Sequence, residues 1–291
     1  MRRACFLQTA FLFLAATLWA QAVAQEIKQQ DETAARVLRS RGVEQYDAGR
    51  FESAVETFKQ AIQLKPDYAQ AYNDLGMAYV GLNRHELAIE KFRQAIHLNP
   101  ELAQAYYNLG TTYYTLGQLS EAIKQFKQAI RLKPDYAWAH NNLGVAYFES
   151  GQFVEAIDSY RQALRLKPDW AEAYCLLAKA YYESGQSAEA AATLKQAIRS
   201  KPDYAEAHNS LGVLYFNTKR YGDALVSFRE AVRLKPGYAV AQYNLGVANL
   251  VNHRRDAALA QYQTLKNLDR EFAMKLYGGI YQGMILNVSP K

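Results

Sequence analysis

Asparagines and aromatic residues stand in register along this chain. Asn73, Tyr107, Asn141, Asn209 and Tyr243 occupy one recurring column, and Asn108, Asn142 and Asn244 occupy the next. Tyr114, Phe148 and Tyr182 recur seven residues after the first column, and Trp138 stands three residues before it. An asparagine amide carries both a donor and an acceptor, so it can pair with a peptide backbone of any sequence. Aromatic rings add apolar area and anchor interfaces. The chemistry on offer is recognition by hydrogen bonding and stacking.

Bond-making chemistry has little to work with. The five histidines, His85, His97, His140, His208 and His253, are scattered. His140 and His208 stand where Tyr72, Tyr106 and Tyr174 stand elsewhere, so they read as packing or surface residues. No H-x-x-x-H, C-x-x-C or G-x-x-x-x-G-K-[ST] pattern occurs. Cys5 and Cys175 are the two cysteines, and Cys175 has no histidine near it in sequence. Glu149, Glu172, Glu183 and Glu206 are isolated acids. The expectation is no enzyme activity, no cofactor and no metal.

The elements that position these columns are set by proline. Pro66, Pro100, Pro134, Pro168, Pro202 and Pro236 stand 34 residues apart, and around them the text recurs as LKPDYAQAYNDLGMAY, LKPDYAWAHNNLGVAY and LKPDYAEAHNSLGVLY. A fixed period of this length marks a solenoid of helix–turn–helix units. With the proline at position 32, position 8 is Gly42, Gly76, Gly110, Gly144, Ala178, Gly212 and Gly246. Position 20 is alanine from Ala54 to Ala258, and position 27 is alanine from Ala61 to Ala231, then Leu265. Small residues let two antiparallel helices approach closely. Position 24 is large, as in Phe58, Phe92, Phe126, Tyr160 and Phe228, and fills the adjoining space. Gly49, Gly117, Gly151 and Gly185 at position 15 predict a turn with positive φ between helix A and helix B. The Asp after each proline predicts an N-cap, with Asp67–Gln70, Asp169–Glu172 and Asp203–Glu206 at capping-box spacing.

The L-G-x-x-Y…A…F…A…P pattern resembles the tetratricopeptide repeat (TPR) family over residues 35–272. The resemblance implies an all-α TPR solenoid, a right-handed superhelix of seven repeats at 35–68, 69–102, 103–136, 137–170, 171–204, 205–238 and 239–272. It also implies a concave groove lined by helix A that binds a protein or an extended peptide. The partner-binding candidates are Asn73, Tyr107, Asn108, Tyr114, Trp138, Asn141, Asn142, Phe148, Tyr182, Asn209 and Asn244. The asparagines at position 6 resemble the ladder of the O-linked N-acetylglucosamine transferase superhelix, interrupted here at Asp74, Leu176 and Ser210. The carboxylate clamp of chaperone-tail-binding relatives is not matched, because position 5 holds no lysine and Lys179 is the only basic residue at position 9. Repeat 5 departs furthest from the pattern, with Ala178 for Gly, Leu194 for Phe, and Cys175 and Leu176 for polar residues.

Flanking segments complete the reading. Residues 1–24 have the form of a signal peptide: Arg2 and Arg3, an apolar stretch, then Ala22-Val23-Ala24. Export to the periplasm or outside the cell is expected, with membrane attachment if the leader is retained. Residues 25–34 read as a flexible polar lead-in, and residues 273–291 as a capping helix on repeat 7 followed by a frayed tail. Asp269 is the expected cap of that helix, and Gly278-Gly279 its expected break. The net charge of +6, or +4 without Arg2 and Arg3, is too mild to point to nucleic acid. A non-catalytic envelope scaffold is the leading expectation. A carbohydrate ligand stacked on Trp138 and Tyr107 is the alternative, and an active site in the groove is a third reading.

Overall fold

The computed structural model describes residues 2–282 and Val288, with the backbone alone for 2–18, Ala20 and Ala22. All regular elements among the described residues are α-helices. Contacts divide the chain into two units, Met1–Pro134 and Asp135–Lys291.

The first unit holds α1 (Arg2–Asp47), α2 (Phe51–Leu64), α3 (Ala69–Gly81), α4 (His85–Leu98), α5 (Ala103–Thr115) and α6 (Leu119–Leu132). Each odd-numbered helix packs on the even-numbered one after it as the A and B helices of one repeat. The close approach rests on the glycine at position 8. A Cβ on Gly76 would lie 2.6 Å from the Phe92 ring, nearer than real Cβ atoms come. Phe58, Phe92 and Phe126 are buried beneath those glycines, and Ala54, Ala88 and Ala122 have no exposed surface.

The second unit holds α7 (Ala137–Glu149), α8 (Phe153–Leu166), α9 (Ala171–Glu183), α10 (Ser187–Ser200), α11 (Ala205–Asn217), α12 (Tyr221–Leu234), α13 (Ala239–Val251), α14 (Arg255–Leu268) and α15 (Arg270–Gln282). The same interlock recurs at Gly144–Tyr160 and Gly212–Phe228. At repeat 7 the filler comes from the cap: a Cβ on Gly246 would meet Leu276 of α15 at 2.5 Å. Tyr243 stacks on Phe272 of the same helix at 4.8 Å, and Leu276 and Ile280 are buried. The fold is thus an all-α solenoid of helix pairs closed by a capping helix.

Latches between successive repeats repeat as well. Arg93 Nη2 donates to the Tyr113 hydroxyl at 2.7 Å, and Arg161 Nε donates to the Tyr181 hydroxyl at 2.8 Å. In both cases a B-helix arginine holds the buried position-11 tyrosine of the next repeat.

Several local expectations are corrected. Asp67, Asp169 and Asp203 do not cap helix A, because each A helix starts two residues later, with Tyr68, Trp170 or Tyr204 in the N-cap place and no side-chain cap bond. The Asp lies in the turn instead, where Asp67 pairs with Lys65 at 3.1 Å. Asp269 does cap α15, accepting from the Phe272 N–H at 3.0 Å. That helix runs through Gly278 and Gly279, since Gly278 is buried against the body of the unit. Residues 25–34 are helical within α1, a continuation favoured by Glu, Gln, Lys and Ala, and Glu32 reaches Lys65 at 3.2 Å. Position 15 has positive φ in all seven repeats, at the four glycines and also at Asn83, Lys219 and His253. The expected frayed end is corrected at Val288, which is buried, while 289–291 lie outside the described residues. Among the described residues no helix is long and apolar enough to cross a membrane.

Candidate functional site

The asparagine columns are built into the joints between repeats. In the first unit Asn108 Nδ2 donates to Asn73 Oδ1 at 2.9 Å, and both side chains are buried. Asn73 Nδ2 in turn donates to Asp74 Oδ1 at 3.2 Å, while Arg39 Nε donates to Asp74 Oδ2 at 2.6 Å. In the second unit Asn244 Nδ2 donates to Asn209 Oδ1 at 2.9 Å, again between buried side chains. The rule is that column 5 of one repeat bonds column 6 of the next, 35 residues away. A buried amide must find a partner, and here the neighbouring repeat supplies it. Asp74, which breaks the asparagine row in sequence, follows the same rule with a charged partner in Arg39.

The rule fails where repeat 4 meets repeat 5. Asn141 is buried and shares a hydrogen bond of 3.3 Å with Asn142 through its Nδ2. Its Oδ1 has no protein partner, because the position 35 residues on is Leu176. Asn209 Nδ2 is likewise unpartnered, its own column-6 neighbour being Ser210.

Five of the eleven candidate residues, Asn73, Asn108, Asn141, Asn209 and Asn244, are therefore buried in the seam. Asn142, Tyr107, Tyr114 and Phe148 are half-buried, and Tyr107 packs on the Phe126 ring at 6.0 Å. Trp138 and Tyr182 are exposed, Trp138 at 49%.

Two cavities on the second unit collect the exposed members. Trp138, Asn141, Trp170 and Leu176 line one of about 530 Å³. Its wall is a tryptophan pair, with Trp138 and Trp170 centroids 4.3 Å apart at 64° and Lys167 Nζ 5.2 and 5.0 Å from the two rings. The ring faces attract this ammonium, which sits in a rim it shares with Asp169 and Glu172. Leu176, Tyr182, Leu194, Val213 and Leu214 line the other, of about 460 Å³, with Lys179 and Glu183 also in its wall. Lys179 Nζ also lies 4.7 Å from the Phe148 ring, joining the aromatic stripe to this cavity.

Sequence reading overlooked Leu176, Trp170, Lys167 and Val213. The signal for Leu176 was the departure of repeat 5 from its neighbours. Trp170 was readable too, as the only tryptophan in a column that otherwise holds tyrosines, Leu102 and Phe272 at position 34.

Titratable groups here are tuned for packing. Burial, with Glu172 and Glu206 nearby, pushes the Cys175 thiol up to about 12, so it stays protonated and unreactive. Burial pushes the Glu206 carboxyl up, but the hydrogen bond from Lys235, a backbone hydrogen bond and the charges of Lys235 and Lys201 together outweigh it and lower its pKa. No cluster of His, Cys, Asp and Glu that could hold a metal ion occurs among the described residues. His208 Nε2 lies 3.0 Å from the Pro202 carbonyl, a local contact.

Paired helices at a fixed period, with aromatic cavities along the A-helix face, define a helical-repeat binding module. The TPR repeat description matches residues 42–83, 76–117, 110–151 and 146–185, and the tetratricopeptide repeat description matches 175–239. The chain belongs to the tetratricopeptide-repeat family. No curated protein matches it. Among solved structures it is similar to MamA (27% identity, TM-score 0.53, 59% of this chain and 94% of that one). It is also similar to YrrB, described as a TPR protein with an unusual peptide-binding site (24%, 0.56, 64% and 96%). PilF of Pseudomonas aeruginosa shares the fold (20%, 0.60, 72% and 97%).

Proposed function

We propose that this chain is a non-catalytic scaffold that holds a partner protein, or an extended segment of one, on the A-helix face of its second unit. The observation that carries this reading is the pair of adjoining cavities that share Leu176, one walled by Trp138 and Trp170 and the other by Tyr182 and Val213. Exposed Trp138 and Tyr182, with half-buried Leu176 and Val213 beside them and charged residues at the rim, have the make-up of an interface core. The peptide-binding site named for YrrB, which has the same fold, supports the reading. The form of residues 1–24 supports export, with cleavage after Ala24 and action in the cell envelope.

A photocrosslinking residue at Trp138, with a control at exposed Lys195 on α10, tests this in cells. A discrete protein adduct from Trp138 alone is expected. Adducts from Lys195 alone would move the interface to the B helices and overturn the site. Glycan-array binding lost in Trp138→Ala, with no protein adduct, would replace the partner class by carbohydrate. N-terminal sequencing of the mature chain, expected to begin at Gln25, tests the leader.

A further inference from the structure

The four residues that set repeat 5 apart in sequence converge on one place. Cys175, Leu176, Ala178 and Leu194 all line the 460 Å³ cavity between α9 and α11. Cys175 and Leu176 stand in columns 5 and 6, where the asparagines that bond across other joints stand. Ala178 and Leu194 replace the glycine–aromatic interlock by a smaller filler beneath the same face. Two polar seam positions and one glycine–aromatic pair are thus replaced by apolar groups around one cavity.

The chain itself supplies what covers that wall. Val288 lines the same cavity and is only 8% exposed, although it lies six residues beyond the end of α15 at Gln282. Six residues span at most about 20 Å, and Val288 lies against α9 and α11 within the second unit.

We propose that repeat 5 is a receptor for aliphatic side chains of an extended segment, and that the chain's own Val288 is its resident occupant. The proposal rests on the scaffold reading above and deepens it: a partner segment of the same chemistry enters this part of the face by displacing Val288. The remaining rim, Lys179 and Glu183, offers one charge of each sign and so selects little by charge, leaving selection to the apolar wall.

The test is fluorescence anisotropy with a labelled peptide copying residues 283–291 (GMILNVSPK), added to the full chain and to full-length variants. A tethered tail competes at an effective concentration on the order of millimolar, so Val288→Asp is expected to bind the peptide about tenfold more tightly than the unaltered chain. Adding Leu176→Asn to Val288→Asp is expected to weaken that binding about tenfold or more. Val288→Ser serves as a second tail variant if Val288→Asp lowers helix content. Equal binding by the unaltered chain and both tail variants would overturn the resident tail. Binding indifferent to Leu176→Asn would overturn the receptor. Competition that strengthens with protein concentration would assign the occupant to a second copy and overturn the intramolecular contact. Loss of the Trp138 crosslink with this pattern intact would sink only the partner-scaffold reading, and the reverse would sink only this one.

Discussion

Where repeat 7 meets repeat 6, Asn244 donates to Asn209 at 2.9 Å and both are sealed from solvent. Where repeat 5 meets repeat 4, the same two columns hold Leu176 and Asn141, and Asn141 Oδ1 is left without a protein partner. An intramolecular hydrogen bond contributes about 0.5–1.5 kcal/mol net, and a buried orphan acceptor costs about 1–3 kcal/mol. Repeat 5 therefore gives up joint stability. It gains an apolar surface that is half-open on the A-helix face. One joint is closed by an amide pair, with only Asn209 Nδ2 left over, and the other carries an apolar face in its place.

The largest expected effect lies in the interlock of the ordinary repeats. Phe228→Ala empties a site with no exposed surface and should cost about 3–5 kcal/mol, read as a lowered urea midpoint. Leu194→Ala, in the smaller and looser repeat 5 interlock, should cost less; an equal cost would erase the distinction between the two repeats. Next, Gly212→Ala drives a methyl to 2.6 Å from the Phe228 ring and should destabilise by about 1–3 kcal/mol. Adding Phe228→Leu, which copies the Ala178–Leu194 pair, should recover part of that loss. No recovery would mean that the repeat 5 pair is not a coupled exchange.

Leu176→Asn should raise stability by about 1 kcal/mol by giving Asn141 Oδ1 its donor. The same substitution should weaken the apolar face, so stability and binding would move in opposite directions. Lys219→Gly should stabilise by up to about 1 kcal/mol, because Lys219 holds φ at 61° in a turn where glycine rests without strain. Smallest is the Glu206–Lys235 pair, at 2.8 Å and partly exposed; pairs of this kind contribute below about 1 kcal/mol. The folded Glu206 pKa is lowered, so its contribution is present above the unfolded carboxylate range and is lost as pH falls through the folded value. Lys235→Ala should flatten the acid side of a stability–pH profile below about pH 4.5, measured by thermal melts from pH 6 to 3.

The period, the helix pairs, the close packing and the cap were legible because each is written as a residue type at a fixed spacing. Gly144 against Tyr160 and Asp269 ahead of Phe272 need no tertiary information beyond the period. The site was less legible for a physical reason. An asparagine on an A helix looks the same in sequence whether it faces a ligand or the next repeat. Only the 35-residue separation of Asn73 and Asn108 shows that their amides satisfy each other. The Asp N-caps failed on a shift of register: the turn uses backbone bonds such as Tyr68 N–H to Lys65 carbonyl, and the helix begins after them. Val288 gave no sequence signal, since one valine near a chain end has no period to belong to.

The bonds that tie one repeat to the next recur at fixed separations, 20 residues for Arg93–Tyr113 and Arg161–Tyr181, and 35 for Asn73–Asn108 and Asn209–Asn244. Such a chain tolerates recombination in whole units. Duplicating or excising 34 residues within the regular run keeps these separations, so the same columns still meet across each new joint. Array length can thus drift over evolutionary time without loss of the fold. Repeat 5 is the exception: copying it would set Cys175 against a second Leu176, a joint with no amide pair, and deleting it would remove the apolar wall, so lineages that lengthen or shorten this array should do so around it.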